Sequence, residues 1–132
     1  MAGQVPLSRH LLRSRDLIDR CYAEPLDTAA LAARAHVTES YFIRRFRESF
    51  GETPHRYLIS RRMERAMELL RETELSVTDI CLAAGFTSLG SFSSQFRRFV
   101  GESPSSYRAR DRDQQLAMLP GCLVKIFSRP VV

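Results

Sequence analysis

The chain has 132 residues, 44% of them hydrophobic, and a formal net charge of +5. This length allows one domain, or two very small ones, with a buried core. No apolar run approaches the roughly 18 to 20 residues that cross a bilayer, and the first residues lack the basic start and apolar centre of a signal peptide. We therefore exclude a membrane-spanning or secreted protein and expect a cytoplasmic one.

The basic residues are almost all arginine, since Lys125 is the only lysine among 20. Arginine makes bidentate contacts to phosphate and to guanine, so this bias favours a nucleic-acid partner. An ordinary basic protein from a GC-rich genome would show the same bias without that function. Composition alone leaves both alternatives open.

Cysteine and histidine spacing predicts neither a disulfide framework nor a zinc site. The cysteines Cys21, Cys81 and Cys122 are far apart and odd in number, and neither Cys-x-x-Cys nor His-x-x-x-His occurs. Cys81 lies on an apolar helix face, where we expect it to fill the core. The chain also lacks a glycine-rich phosphate loop and any nucleophile–histidine motif. We expect no catalytic residue, no metal, no cofactor and no enzymatic activity.

The first half of the chain predicts three helices. Apolar spacing over residues 9–22 indicates the first helix. Asp27 is placed to cap a second, alanine-rich helix, and His36 ends it because histidine tolerates a left-handed backbone. Thr38 is placed to cap a third helix that ends at Gly51.

The third helix has two contrasting faces. Phe42, Phe46 and Phe50 recur every four residues, so they form one stripe that we expect to be buried. The opposite stripe carries Ser40, Arg44 and Arg47. An alanine-rich helix, a short turn and a helix with an aromatic inner face and an arginine outer face are typical of a helix-turn-helix unit.

A long helix is predicted next, from Pro54 to about Arg71, because proline suits the first helical position. About 18 residues span about 27 Å, roughly one turn of DNA. The arginines at 61, 62 and 65 are expected to form a solvated face with glutamates on the same helix.

The helix-turn-helix unit then recurs. The second copy is offset by 49 residues before the turn (80 minus 31) and by 50 after it (92 minus 42). Ser76 begins it, Gly85 takes the place of His36, and Thr87 or Ser88 begins the outer helix. We expect the following residues to point inward: Phe92, Phe96 and either Phe99 or Val100. Ser103 and Pro104 should open a last short helix that runs to about Arg110, and residues 123–127 are a candidate strand in an apolar tail.

These motifs resemble the DNA-binding domain of the AraC/XylS family of bacterial transcription regulators. The resemblance rests on both copies, including Ala-Ala-Gly-Phe-Thr-Ser at 83–88 and Gly-Glu-Ser-Pro-x-x-Tyr-Arg at 101–108. It implies an all-α fold of seven helices over residues 8–110, in which a linker helix of about 54–71 joins units of about 8–51 and 76–110. A short irregular or strand-like tail, 111–132, would follow. Members of the family bind double-stranded DNA as monomers, with two recognition helices in successive major grooves.

By position, the resemblance places Ser40, Ile43 and Arg44 against bases and turns Arg47 towards phosphate or the groove edge. A base contact is the favoured role for Arg44. For Arg47, a phosphate contact and a purely solvated surface position are equal alternatives.

In the second unit the matching outer positions are Gly90, Ser91, Ser94 and Gln95, with Arg97 and Arg98 near the DNA backbone or on a solvated surface. The family frequently has arginine where this chain has Ser94. Serine contacts bases weakly, whereas arginine pairs bidentately with guanine. We therefore expect the first unit to supply most base readout, and the second to supply phosphate contacts and shape recognition.

Two alternatives concern the chain as a whole. Its tail could dock on RNA polymerase or a partner subunit, which would make the chain a protein-interaction module with non-specific DNA binding. The tail could instead fold back over the second unit, which is the alternative that we favour for it. The first helix begins within about ten residues of the start, so we expect either a stand-alone regulator or a fragment of a longer one, and Met1 favours the first of these.

Overall fold

A computed structural model of the chain describes residues 5–110 and Gln114. Over this part of the chain the backbone forms seven α-helices and no strand, in agreement with the predicted all-α fold. The helices are α1 (Leu7–Cys21), α2 (Thr28–Arg34), α3 (Glu39–Phe50), α4 (Pro54–Glu72), α5 (Val77–Ala83), α6 (Leu89–Val100) and α7 (Pro104–Ala109). The strand expected in the tail lies outside the described residues.

The chain divides into two compact units, Met1–Ile59 and Ser60–Val132. The boundary falls within α4, so the start of this helix packs in the first unit and the remainder in the second. The helix-turn-helix of the first unit is formed by α2 and α3, and that of the second by α5 and α6.

Side-chain caps begin these helices at the residues that the sequence predicts. The hydroxyls of Thr38, Ser76, Ser88 and Ser103 accept backbone N–H groups three residues further on, at 3.0 to 3.2 Å. The Asp27 carboxylate accepts one two residues on, at 2.9 Å. Of the two starts predicted for α6, Ser88 is therefore the cap.

Helix α1 begins two residues earlier than predicted, at Leu7 instead of Arg9. The carbonyl of Pro6 accepts the N–H groups of Arg9 and His10, at 3.0 and 3.3 Å. Because Pro6 supplies this acceptor, the first turn closes immediately after it.

The first unit has an aromatic core. Phe42 and Phe46 are completely buried, as predicted, whereas Phe50, expected on the same stripe, is half-buried at the end of α3. The Phe46 ring meets the Tyr57 ring edge-on at 5.9 Å. Tyr57 donates its hydroxyl hydrogen bond to Asp19 at 2.7 Å. The core also contains Leu11, Ile18, Leu31, Ala32 and Leu58. Packing thus joins α1, α2 and α3 to the start of α4.

The second unit repeats this core. Phe92 and Phe96 are completely buried, and the Phe96 ring meets the Tyr107 ring edge-on at 5.7 Å. Val100 is the buried residue at the end of α6, whereas Phe99 is half-buried. Cys81 fills the core as predicted, and its burial raises the pKa of the thiol.

The arginines of α4 differ from one another. Arg61 pairs with Glu64 at 2.7 Å and Arg65 with Glu68 at 3.0 Å, which confirms partners within the helix. Arg62 is half-buried, with its guanidinium 5.8 Å from the centre of the Phe86 ring, and burial lowers its pKa. The expectation of a solvated face is therefore wrong for Arg62, because it packs against the turn of the second unit.

Candidate nucleic-acid interface

Both helix-turn-helix units use the same turn. In the first unit the N–H groups of His36 and Val37 bond to the carbonyls of Ala33 and Ala32, at 3.1 and 3.2 Å. This is a Schellman motif, and it places His36 in the left-handed region at a φ of 59°.

The turn of the second unit repeats the two bonds. They run from Gly85 to Leu82 and from Phe86 to Cys81, both at 3.0 Å, with Gly85 at a φ of 100°. The predicted left-handed residue is confirmed in both units. The turn fixes the direction in which each outer helix, α3 or α6, leaves the core.

The outer face of α3 follows from its buried face. Phe42 and Phe46 point into the core, so Ser40, Arg44 and Arg47 are exposed on the other side of the helix. Ile43 is half-buried beside them. The four residues predicted for this unit therefore lie on or beside one accessible surface.

Arg44 rests on an aromatic ring that sequence reasoning missed. Its guanidinium lies 5.2 Å from the centre of the Tyr41 ring, and that of Arg45 lies 5.9 Å from it. Arg45 also donates a hydrogen bond of 3.4 Å to the Tyr41 hydroxyl and lies 3.4 Å from a carboxylate oxygen of Glu48. The signal was available, because an aromatic residue three and four positions before two arginines lies on their side of the helix.

The two exposed arginines on the outer face of α3 are not engaged by carboxylates. Among the described residues, neither Arg44 nor Arg47 forms an ion pair. The Tyr41 ring also offers the Arg44 guanidinium a cation–π contact. An arginine of this kind is well suited to bind phosphate or a base edge.

Helix α6 has a polar outer face with little charge in its first two turns. Gly90, Ser91 and Ser94 are exposed and Gln95 is half-buried. The Gln95 amide donates a hydrogen bond of 3.0 Å to the Ser91 hydroxyl. Two of the predicted contact residues thus already bind each other.

Positive charge on α6 is confined to its last turn. Arg97 and Arg98 are exposed, and within the described part of the chain neither forms an ion pair. They follow Gly90 by seven and eight residues, about 11 Å along the axis. Charge and neutral polar groups are therefore separated along α6, whereas α3 carries arginine through its middle.

Among the described residues, no three His, Cys, Asp or Glu side chains are grouped to hold a metal ion. None of the helices in this part of the chain has the length and apolar character needed to cross a membrane.

The fold and these two surfaces define a helix-turn-helix protein with a duplicated unit. Residues 31–110 match the family model described as a helix-turn-helix domain. The chain is also similar to the HTH-type transcriptional regulator CdhR of Pseudomonas aeruginosa, 37% identical over 102 residues that cover 77% of this chain and 30% of CdhR. It thus spans less than a third of that regulator.

Solved structures agree with this class. The DNA-binding domain of the global transcriptional factor AdpA, solved in complex with a target DNA, is 34% identical with a TM-score of 0.67, covering 83% of this chain and 95% of that one. A probable AraC family transcriptional regulator from Rhodopseudomonas palustris is 27% identical with a TM-score of 0.66, covering 78% of this chain and 99% of that one. The chain belongs to the AraC-type helix-turn-helix family of transcription regulators.

Proposed function

We propose that this chain regulates transcription by binding double-stranded DNA sequence-specifically, with α3 and α6 as its recognition helices. One observation carries the proposal: each helix buries an aromatic stripe and leaves a polar outer face with two exposed arginines that form no ion pair among the described residues, Arg44 and Arg47 on α3 and Arg97 and Arg98 on α6. A duplex presents phosphates and base edges that match such a face. The AdpA domain, solved with its target DNA, supports the same partner.

The two helices differ in the readout that their side chains support. Arg44 carries an exposed guanidinium without an ion pair among the described residues, suited to the O6 and N7 atoms of guanine, with Ser40 and Ile43 beside it. On α6, Ser91, Ser94 and Gln95 offer only neutral polar contacts. We infer that α3 supplies most base discrimination, and that α6 contributes phosphate contacts and shape recognition.

The same proposal extends to the binding site on DNA and to the location of the protein. Two units in direct order within one chain predict two half-sites about 10 base pairs apart, bound by a monomer. We propose a cytoplasmic location in a bacterium, because a transcription regulator has to reach the DNA that it binds. The family and fold are those of transcription regulators, and we propose no enzymatic activity. Whether residues 111–132 contact RNA polymerase is a separate prediction, which deletion after Arg112 would test.

The test is selection of bound sequences from a random DNA pool by the purified chain at fixed salt. We expect a bipartite motif with half-sites one helical turn apart. Arg44→Ala should erase base preference in one half-site, because it removes a bidentate contact worth about 1 to 3 kcal/mol.

Two matched variants distinguish readout from charge. Arg47→Ala should weaken binding to all sequences alike and lower the salt slope by about 1, as expected for a phosphate contact. Arg20→Ala removes the same charge from the exposed face of α1 and should change neither property. Weak binding without any motif, equally reduced in all three variants, would refute sequence-specific recognition.

A further inference from the structure

A cleft opens between α1 and α2 in the first unit, away from the outer face of α3. Its volume is about 250 Å³, and it is lined by His10, Arg13, Ser14, Leu17, Leu31 and Arg34. The cleft therefore has room for one small organic molecule. None of its lining residues belongs to the proposed DNA-reading surfaces.

The cleft is strongly basic. Arg13 from α1 and Arg34 from the last turn of α2 line it together, and no carboxylate does. Within the described residues neither arginine has an ion-pair partner. Two arginines from different helices thus line one cleft that no carboxylate lines, an arrangement that favours anions over cations.

The inner wall is apolar. Leu31 is buried and Leu17 half-buried, whereas Arg13 and Arg34 are exposed, so the charges lie at the mouth and the leucines deeper. Ser14 is buried too, but its hydroxyl already donates to the carbonyl of His10 at 2.8 Å. The depth of the cleft therefore favours an apolar group over a sugar, which would need free hydrogen-bonding partners there.

We propose that this cleft binds a small organic anion whose carboxylate meets Arg13 and Arg34 and whose short apolar tail lies against Leu17 and Leu31. Arginine pairs with carboxylates through two parallel hydrogen bonds, which suits this head group. The bound anion would join α1 to α2. Because it binds only the folded unit, it would raise the thermal stability of the unit that carries α3.

The test uses the full chain without DNA and three probes of matched size or charge: pentanoate, pentylammonium and acetate. Backbone amide shifts in ¹H–¹⁵N spectra report where each probe binds, and thermal melts report stabilisation. Pentanoate should give saturable shifts at residues 10–17 and 31–34 and raise the melting temperature. Acetate should bind at least about tenfold more weakly because it lacks the tail, and pentylammonium should not bind.

Arginine variants locate the head group. Arg13→Gln and Arg34→Gln should each weaken pentanoate binding about tenfold, as expected for loss of a charge-assisted hydrogen bond. Arg20→Gln removes the same charge from an exposed position on α1 outside the cleft and should leave binding unchanged. All three residues are exposed, so the variants should fold, which circular dichroism checks.

Three results would overturn the proposal. One is equal binding of pentanoate and pentylammonium, which would indicate an apolar cleft without charge selection. Another is equal weakening by Arg20→Gln, which would indicate unspecific attraction. The third is no pentanoate binding together with weaker binding of a DNA duplex by Arg13→Gln and Arg34→Gln, which would assign both arginines to DNA phosphates.

Discussion

The two helix-turn-helix units are alike inside and different outside. Inside, Phe46 meets Tyr57 at 5.9 Å and Phe96 meets Tyr107 at 5.7 Å, both edge-on. Outside, the consecutive arginines Arg44 and Arg45 of α3 correspond to Ser94 and Gln95 of α6. Core residues are constrained by close packing, whereas exposed ones are not. One scaffold therefore carries two surfaces with different recognition chemistry.

The two core tyrosines, Tyr57 and Tyr107, differ in the hydrogen-bond partners of their hydroxyl groups. Tyr57 donates its hydroxyl hydrogen bond to Asp19 at 2.7 Å, whereas Tyr107 accepts one from Arg71 at 2.9 Å. Arg108 adds bonds to the carbonyls of Leu70 and Thr73, both at 3.2 Å, so α7 is fastened to the end of α4. A hydroxyl can donate or accept a hydrogen bond, so tyrosines at equivalent positions of the two units can pair with an acidic residue in one unit and a basic residue in the other.

The largest expected effect is the loss of stability on removing a core phenylalanine, and it should be equal in the two units because their cores are equivalent. Phe46→Ala and Phe96→Ala should each lower the free energy of unfolding by about 3 to 5 kcal/mol, because both rings are completely buried. Urea denaturation measures the loss. Leu82→Ala, at a side chain that is 59% exposed, is the control and should change stability little. A large loss from only one of the two phenylalanines would end the analogy between the units.

Because the outer faces differ at matching positions, the base preference expected of α3 should be transferable to α6 by one substitution. Ser94→Arg places on α6 the residue that α3 has at the matching position, Arg44. We expect the variant to prefer guanine at one position of the second half-site by about 1 to 3 kcal/mol. Affinities for duplexes that vary this position, at fixed salt, measure the preference. If Ser94→Arg raised affinity for all duplexes equally, position 94 would meet phosphate and not a base.

Replacing the glycine at the end of α3 or α6 should lower the free energy of unfolding by a smaller amount, equal in the two units. Gly51 and Gly101 have φ values of 84° and 95°, and a Cβ at either would meet nothing within 4 Å. Gly51→Ala and Gly101→Ala should therefore each cost only the strain of a left-handed alanine, about 1 to 2 kcal/mol. Thermal melts measure it. A clearly larger loss at one glycine would show that the neighbourhoods of the two helix ends differ.

The smallest effect concerns Tyr107. Tyr107→Phe removes the hydrogen bond from Arg71 and should cost about 0.5 to 1.5 kcal/mol near neutral pH. Burial raises the Tyr107 pKa despite the opposing effect of Arg71. The unfolded tyrosine therefore releases its proton at lower pH than the folded one, so stability is lost as pH rises from about 10 towards the folded pKa. Wild type should lose this part of its stability in alkaline urea melts and Tyr107→Phe should not. Parallel pH profiles would contradict it.

Much of the local structure was readable in the sequence. The caps at Thr38, Ser76 and Ser103 act on backbone groups within three residues, so the motif alone specifies them. The buried stripe of α3 follows from its four-residue spacing. The start of α1 was missed because Pro6 contributes through its carbonyl, which no side-chain pattern reports.

The candidate site was predictable only in outline. Residues on the face opposite Phe42 and Phe46 had to be exposed, so spacing alone placed Arg44 and Arg47 on the outer face, whereas their expected contacts with DNA came from the family resemblance. The stacking of Arg44 on Tyr41 and the bond between Gln95 and Ser91 depend on rotamers, which spacing does not specify.

The amino-acid sequence was sufficient to establish the duplication, the helices and the inner face of each unit, because caps, turns and apolar stripes are relations between residues a few positions apart. Tertiary structure alone decided the contacts between distant positions. It placed Arg62 against Phe86, gave Tyr57 and Tyr107 opposite partners, and brought Arg13 and Arg34 to one cleft. These pairings depend on which helix faces meet when the cores pack, and no local pattern encodes that meeting.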